Sequence, residues 1–261
     1  MPEGDTVWLA ATNLDRALGR QVLELADLRV PAFATVDLTG REVLEVRSRG
    51  KHILTRMSGG LTLHTHFKME GSWHLYRAGA RWGGGPDDQV RALLGTSAWT
   101  AVGYRLGIVE VVRTAQEDAV VGHLGPDLLG TDWDLDEALA RIRDAPDRAI
   151  GEALLDQRNV AGIGTVYRAE TLFLSGVSPW RTVGEVPTLP RVLDLAHRLL
   201  RANRDTAAQV TTGDTRRGHE LWVYGRARLP CRRCGTTVRS AQQGDPPRER
   251  ISFWCPRCQP E

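Results

Sequence analysis

Apolar residues Val7, Ala10, Ala11, Leu14 and Leu18 recur at helical spacing near the start of the chain, with Asp5 or Thr6 placed to cap the first turn and Gly19 to end the last. This pattern predicts one N-terminal helix. The period then shortens to that of strands over residues 21–29, 41–47, 52–57, 61–67, 72–76, 90–96 and 108–113, each run bounded by turn residues. Val43, Leu44 and Val46 alternate only in part, and Ile53 and Leu54 are contiguous. Strands apolar on both faces belong in a two-layer antiparallel sandwich rather than on one exposed sheet.

Residues 77–88, with Gly79, Gly83, Gly84, Gly85 and Pro86, read as a mobile loop, and residues 114–133, with Gly122, Gly125, Pro126 and Gly130, as a linker. After the linker the period becomes helical over residues 135–145, 149–157, 166–175 and 191–203. The expected organisation is therefore α+β: a β-sandwich domain with one helix over residues 1–113, a linker over 114–133, a helical domain over 134–228 and a cysteine-bearing hairpin over 229–261.

Composition narrows the setting. A chain of 261 residues that is 41% hydrophobic and 25% charged is globular and long enough for one large or two ordinary domains. It has no apolar run of membrane-spanning length, and Glu3, Asp5, Thr12, Asn13 and Asp15 interrupt the N-terminal apolar stretch, which argues against a signal peptide. A soluble, cytoplasmic protein without a membrane partner is expected. The net charge of +2 is unevenly spread: from Arg201 to Glu261, 12 Arg stand against 6 Asp and Glu, an excess of 12 − 6 = 6. That suits a polyanion, although a solvated basic tail would look the same. Of 34 basic residues only Lys51 and Lys68 are lysines, so these two mark places where an ammonium is used in place of a guanidinium.

All four cysteines fall in two C-x-x-C pairs, Cys231/Cys234 and Cys255/Cys258. This spacing presents four thiolates to one tetrahedral zinc ion, with two disulfides as the alternative. At the other end, removal of Met1 would leave Pro2 as a free secondary amine with Glu3 beside it. Such an amine is nucleophilic near neutral pH and can form an iminium with a sugar C1′, although most chain termini are frayed and inert. Ser48-Arg49-Gly50-Lys51 is a tight turn aiming Lys51 at one edge of the sandwich, or an ordinary solvated hairpin. In the stretch 64–71, His64 and His66 share a strand face and read as structural histidines, while Met69, between Lys68 and Glu70, reads as core filler or as a wedge for a base stack. Gly162 and Gly164, just before a helix N-terminus, form a possible phosphate cradle or a plain helix connection.

Taken together, PEGDTV at residues 2–7, SRGK at 48–51, DQRNVAGIGTVYRAE at 156–170 and the cysteine hairpin resemble the Fpg/Nei DNA glycosylases, and most of all their actinobacterial-type endonuclease VIII branch. The resemblance spans residues 2–259. It implies a monomeric bacterial base-excision repair enzyme acting on damaged DNA, nucleoid-associated, with a helix-two-turn-helix around Gly162 and Gly164 and one structural zinc ion on a four-cysteine finger. By the same resemblance Pro2 is the nucleophile, Glu3 the general acid and base, and Lys51 a phosphate contact. Arg250 is the phosphate-gripping arginine of the finger. Lys68, Met69 and Glu70 fill the gap left by an extruded base, and Glu170 occupies the family's acidic helix position. Thr165 departs from the usual Asn, which predicts a weaker phosphate grip, and Thr6 departs from the usual acid. The short segment 211–226 favours oxidised pyrimidines. An oxidised-purine glycosylase and a non-catalytic damaged-DNA-binding protein are the alternatives.

Overall fold

The computed structural model describes residues 2–247 and 249–260. The chain forms two compact units. The first holds Pro2 and Thr6–His123, and the second holds Glu3–Asp5 with the described residues from Leu124 onward, so the second gathers three residues from near the N-terminus.

In the first unit, helix α1 (Gly4–Leu18) buries Val7, Ala11, Leu14 and Leu18, the predicted apolar stripe. It begins at Gly4, earlier than the predicted caps allow, and ends before Gly19 as predicted. Eight strands follow: β1 (Leu25–Leu28), β2 (Val43–Arg49), β3 (His52–Met57), β4 (Leu61–His66), β5 (Ser72–Arg77), β6 (Val90–Gly95), β7 (Trp99–Tyr104) and β8 (Ile108–Arg113). They form two four-stranded antiparallel sheets, ordered β1-β6-β7-β5 and β2-β3-β4-β8. One core joins them: Leu28, Ala92, Leu94 and Ala101 from the first sheet pack with Val46, Ile53, Met57 and Leu63 from the second and with the buried face of α1. Each fully buried Leu or Ile contributes about 1.5–3 kcal/mol, so this shared core holds the sandwich together. Strand β7 was not anticipated. Its sequence WTAVGY has no clean alternation, and Gly103 lies where a side chain would strike Leu106 at 2.5 Å.

Beyond β8 a short helix α2 (Asp118–Val121) precedes residues that are not an exposed tether: Leu124, Leu128 and Leu129 are buried, and the Leu128 amide donates to the Ala161 carbonyl at 3.1 Å. The second unit then carries α3 (Leu135–Arg143), α4 (Ile150–Ala153), α5 (Thr165–Ser175), α6 (Leu189–Asn203) and the hairpin β9 (Arg239–Gln243) and β10 (Arg250–Trp254). The helix predicted over 149–157 shrinks to the four residues of α4. The Asn159 side-chain amide takes the Ala153 carbonyl at 3.0 Å, and the Asp156 carboxylate binds Arg148 and Arg158, turning the chain toward Gly162. Among the described residues no helix is long and apolar enough to cross a membrane.

Candidate active site

Helix α5 has Gly164 as its N-cap, a residue without a side chain to satisfy the first amides. Glu3 does that work. Its Oε2 accepts from the Gly164 amide at 2.7 Å and from the Tyr167 amide at 3.3 Å, and its Oε1 accepts from the Val166 amide at 2.7 Å. Glu3 is fully buried. Three N–H donors and the positive end of the helix dipole stabilise negative charge on this carboxylate and fix its position. The amides expected to cradle a phosphate are thus directed at Glu3 instead, which corrects the reading of Gly162 and Gly164 as a bare phosphate loop.

The two glycines have distinct duties. Gly162 adopts φ +100°, its amide donates to Gln157 Oε1 at 3.0 Å, and its carbonyl accepts from the Gly4 amide at 2.8 Å. Gln157 also donates to the Ile163 carbonyl at 3.0 Å, so one side chain shapes this turn. Gly164 lies so close to Glu3 that a Cβ there would meet its Cδ at 2.5 Å. Neither Gln157 nor the match between Glu3 and Gly164 was read from the sequence, although Gln157 lies within the segment 156–170 that carries the family resemblance.

Two expected DNA contacts behave differently. Thr165 is buried, and its hydroxyl has no hydrogen-bond partner among the described residues. Glu170 is also fully buried. It accepts from the amides of Trp222 at 2.7 Å, Val223 at 2.9 Å and Tyr224 at 2.9 Å, and from the Thr211 hydroxyl. A carboxylate so enclosed does not touch a duplex; it pins the segment 211–224 against α5. Between these positions Arg168, missed in the sequence, is buried within α5 and donates to the Ile251 carbonyl of β10 at 2.6 Å. Its burial brings the guanidinium down to about 10. Arg250, at the start of β10, is exposed and its guanidinium donates to the Glu249 carbonyl at 2.8 Å.

The cysteines meet as the spacing predicts. Their four sulfurs lie within 4.8 Å of one another, with Cys231 to Cys258 at 3.9 Å and Cys234 to Cys255 at 3.5 Å. Sulfurs bound tetrahedrally at 2.3 Å from one ion stand about 3.8 Å apart, whereas a disulfide requires about 2.05 Å. The donor set fits one thiolate-loving ion and not two disulfides. The apolar cluster around it, Phe173, Val223, Val238 and Phe253 with Cys231 and Cys255, is small for an independent hairpin.

In the first unit, Lys51 follows the left-handed Gly50 (φ +57°) in the turn from β2 to β3. Lys68, Met69 and Glu70 form an exposed turn after β4, and Met69 is 65% exposed, which rules out the core-filler reading. Four of the seven histidines gather on one face of the second sheet. The rings of His64, His66 and His123 lie 4.9, 4.7 and 6.2 Å from that of His52. His52 Nδ1 and His64 Nε2 share a hydrogen bond of 2.7 Å, and His64 Nδ1 reaches Glu110 at 2.7 Å. Burial, reinforced by neighbouring positive charge, pushes His52 down to about 2 and His66 down to about 3. Burial also lowers His64 despite the Glu110 contact.

His52, His64 and His66 are therefore neutral at physiological pH, and they link stability to pH with a definite sign. His52 and His66 gain protons only when the chain unfolds, so their contribution is full above 6.5, the ordinary histidine value, and is lost progressively as the pH falls below it. Urea titrations should show unfolding free energy dropping by about 2–3 kcal/mol between about pH 8 and about pH 5.5, since each such histidine gives roughly 1.4 kcal/mol per pH unit once well below its unfolded value. A flat profile over that range contradicts neutral His52 and His66.

With this geometry in view, residues 1–105 match the formamidopyrimidine-DNA glycosylase N-terminal domain and residues 124–202 the formamidopyrimidine-DNA glycosylase H2TH domain. A "Probable endonuclease 8 2" of Streptomyces coelicolor is 59% identical over 99% of this chain and 94% of its own length. The chain belongs to the Fpg/Nei family of DNA glycosylases. Within that family it stands on the endonuclease VIII branch. The "DNA-(apurinic or apyrimidinic site) lyase Nei2" of Mycolicibacterium smegmatis is 44% identical over 99% of both chains, whereas a "Formamidopyrimidine-DNA glycosylase" of Gluconobacter oxydans is 32% identical over 89% of this chain and 88% of its own. A crystal structure of the Lactococcus lactis Fpg with abasic-site DNA superposes over 100% of both chains with TM-score 0.82 at 21% identity, which shows the Fpg-like fold. This Fpg/Nei chain is a DNA N-glycosylase and DNA-(apurinic or apyrimidinic site) lyase of base-excision repair, and its four-cysteine hairpin is the family's finger.

Proposed function

We propose that the enzyme excises oxidised pyrimidines through a covalent intermediate on Pro2. The observation that carries this reading is the Glu3 carboxylate, fully buried and fixed by the amides of Gly164, Val166 and Tyr167, one residue from the terminal amine. Met1 lies outside the described residues, and its removal is part of the proposal. Once it is gone, the Pro2 nitrogen attacks C1′, the damaged base departs with the electrons of its glycosidic bond, and the Glu3 carboxylate takes the proton that the attacking nitrogen sheds and passes it to the ring oxygen or to the leaving base. The resulting iminium acidifies C2′. Loss of a C2′ proton then expels the 3′ phosphate, a second elimination expels the 5′ phosphate, and hydrolysis returns the free amine.

Lys51 contacts a phosphate beside the lesion and stabilises the developing charge. Arg250, exposed on the finger, grips the backbone, and the turn of Lys68, Met69 and Glu70 fills the gap left by the extruded base. Glu170 and Thr165 serve from inside the protein, the first by ordering residues 211–224. That short, pinned segment supports a preference for pyrimidines over larger oxidised purines. Single-turnover assays on duplexes bearing dihydrouracil, thymine glycol or 8-oxoguanine test it: excision of the first two should be faster, and faster excision of 8-oxoguanine overturns the pyrimidine assignment.

The cysteine cluster holds one structural zinc ion, ligated by Cys231, Cys234, Cys255 and Cys258. The ion supplies folding energy for the hairpin that carries Arg250. Metal analysis should return about one equivalent of zinc per chain, and removing it with a chelator should lower the melting temperature and weaken DNA binding together. A metal-free protein with two disulfides contradicts this. The enzyme works as a monomer on damaged DNA in the bacterial cytoplasm.

A further inference from the structure

Tyr167 touches both acids of the N-terminal segment. Its backbone amide donates to Glu3 Oε2 at 3.3 Å, and its phenol donates to Asp5 Oδ2 at 2.7 Å. Gly4 lies between these acids, its amide bonded to the Gly162 carbonyl at 2.8 Å, and a Cβ on Gly4 would stand 3.0 Å from Gly162 Cα and 3.1 Å from Leu200. Asp5 has a second partner in Gln209, whose side-chain amide donates to Oδ1 at 3.0 Å and Oδ2 at 3.1 Å. Asp5 and Tyr167 are essentially fully buried.

Enclosing a carboxylate in this way is costly unless its oxygens are well satisfied. The donors from Tyr167 and Gln209 are neutral. Burial, and then the charge and hydrogen bond of Asp5, push the Tyr167 phenol far above its ordinary value, so it remains a donor throughout the working range. A chain terminus is otherwise the part of a protein most prone to fray. Here residues 3, 4 and 5 are each fastened to the start of α5, to the turn before it or to the segment after α6.

We infer that Asp5, Tyr167 and Gln209 are positioning residues that set the reach of Glu3 and of the amine preceding it. The inference rests on the proposed role of Glu3. Removing the phenol hydroxyl leaves the Tyr167 amide on Glu3 and Gln209 on Asp5 but breaks the direct link from α5 to Asp5, so the terminal segment keeps its cage and loses one of its anchors. Gln209 extends the same anchor to the segment that begins at Thr211, which Glu170 holds at both ends through Thr211 and Trp222.

The test compares Tyr167→Phe, Asp5→Asn and the double variant in single-turnover base excision at saturating DNA, with DNA affinity and melting temperature measured alongside. Misplacing a catalytic group by a fraction of an ångström slows chemistry without weakening binding. Tyr167→Phe should therefore excise about tenfold more slowly with Kd changed by less than about twofold, and the double variant should be no slower than the slower single variant, because one substitution removes and the other weakens the same Tyr167–Asp5 hydrogen bond. Wild-type excision by Tyr167→Phe, a loss confined to Kd, or a double variant whose defect is the product of the two single defects would each overturn the inference. Glu3→Gln is run in parallel: if it excises normally, the reading of Glu3 fails, and if it is inactive while Tyr167→Phe is normal, only the positioning role falls.

Discussion

Gly164→Ala should slow base excision by at least about a hundredfold while the protein still folds. A Cβ at this position would stand 2.5 Å from Glu3 Cδ, 2.6 Å from Oε1 and 2.8 Å from Cγ, all inside van der Waals contact. The backbone there has φ −133°, which alanine adopts without strain. The substitution therefore leaves the chain path of α5 intact and evicts the carboxylate. The amides of Gly164, Val166 and Tyr167 then lose their acceptor in a buried place, at a cost of about 1–3 kcal/mol for each that finds no other partner. The melting temperature should fall by several degrees, since about 1 kcal/mol shifts a domain of this size by roughly 2–4 °C. Circular dichroism with single-turnover excision separates the two effects. An alanine variant that excises at the wild-type rate would mean that the caged position of Glu3 is irrelevant to chemistry.

The second large effect is expected from Glu3→Gln, through a different cause. The amide is nearly isosteric, but it has one acceptor oxygen where Gly164 and Val166 use separate oxygens of the carboxylate. One buried amide is left facing an NH2 group, and the proton relay is lost altogether. General acid–base catalysis contributes about 10²–10⁴ in rate, so excision of an intact damaged base should fall by roughly a thousandfold. Cleavage at a pre-formed abasic site should survive in larger part, because the Pro2 amine and its iminium remain. Comparing the two substrates with one enzyme preparation checks this, and equal losses on both would assign Glu3 a structural role.

Some of this site is legible in the sequence and the rest is not, for physical reasons. The strand pattern was legible where alternation and turn residues coincide, as at His52–Met57, and failed at Trp99–Tyr104, where small residues dilute the signal. The helical spacing over 149–157 was real, yet side chains at Asp156 and Asn159 bonded locally and ended the helix at Ala153. The metal cluster was readable because each pair of ligands is local in sequence. The cage around Glu3 was not, for its partners stand 161 to 164 positions away and two of the three are ordinary backbone amides of apolar or aromatic residues. Met69 could not be assigned from residue type either, since an apolar side chain in a polar turn is ambiguous until its exposure is known. Glu170 and Thr165 were placed by resemblance, and only burial separates a residue that touches DNA from one that shapes its neighbours.

In the proposed reaction a terminal secondary amine at Pro2, oriented by Glu3, attacks the sugar. Its most direct test is mass spectrometry of the intact protein and of its peptides before and after borohydride trapping on an oligonucleotide with one abasic site. The expected result is a chain lacking Met1, one DNA fragment bound per protein, and the adduct on the peptide that begins at Pro2. An adduct on the peptide containing Lys51, or no adduct from a chain with a free Pro2 terminus, would contradict it.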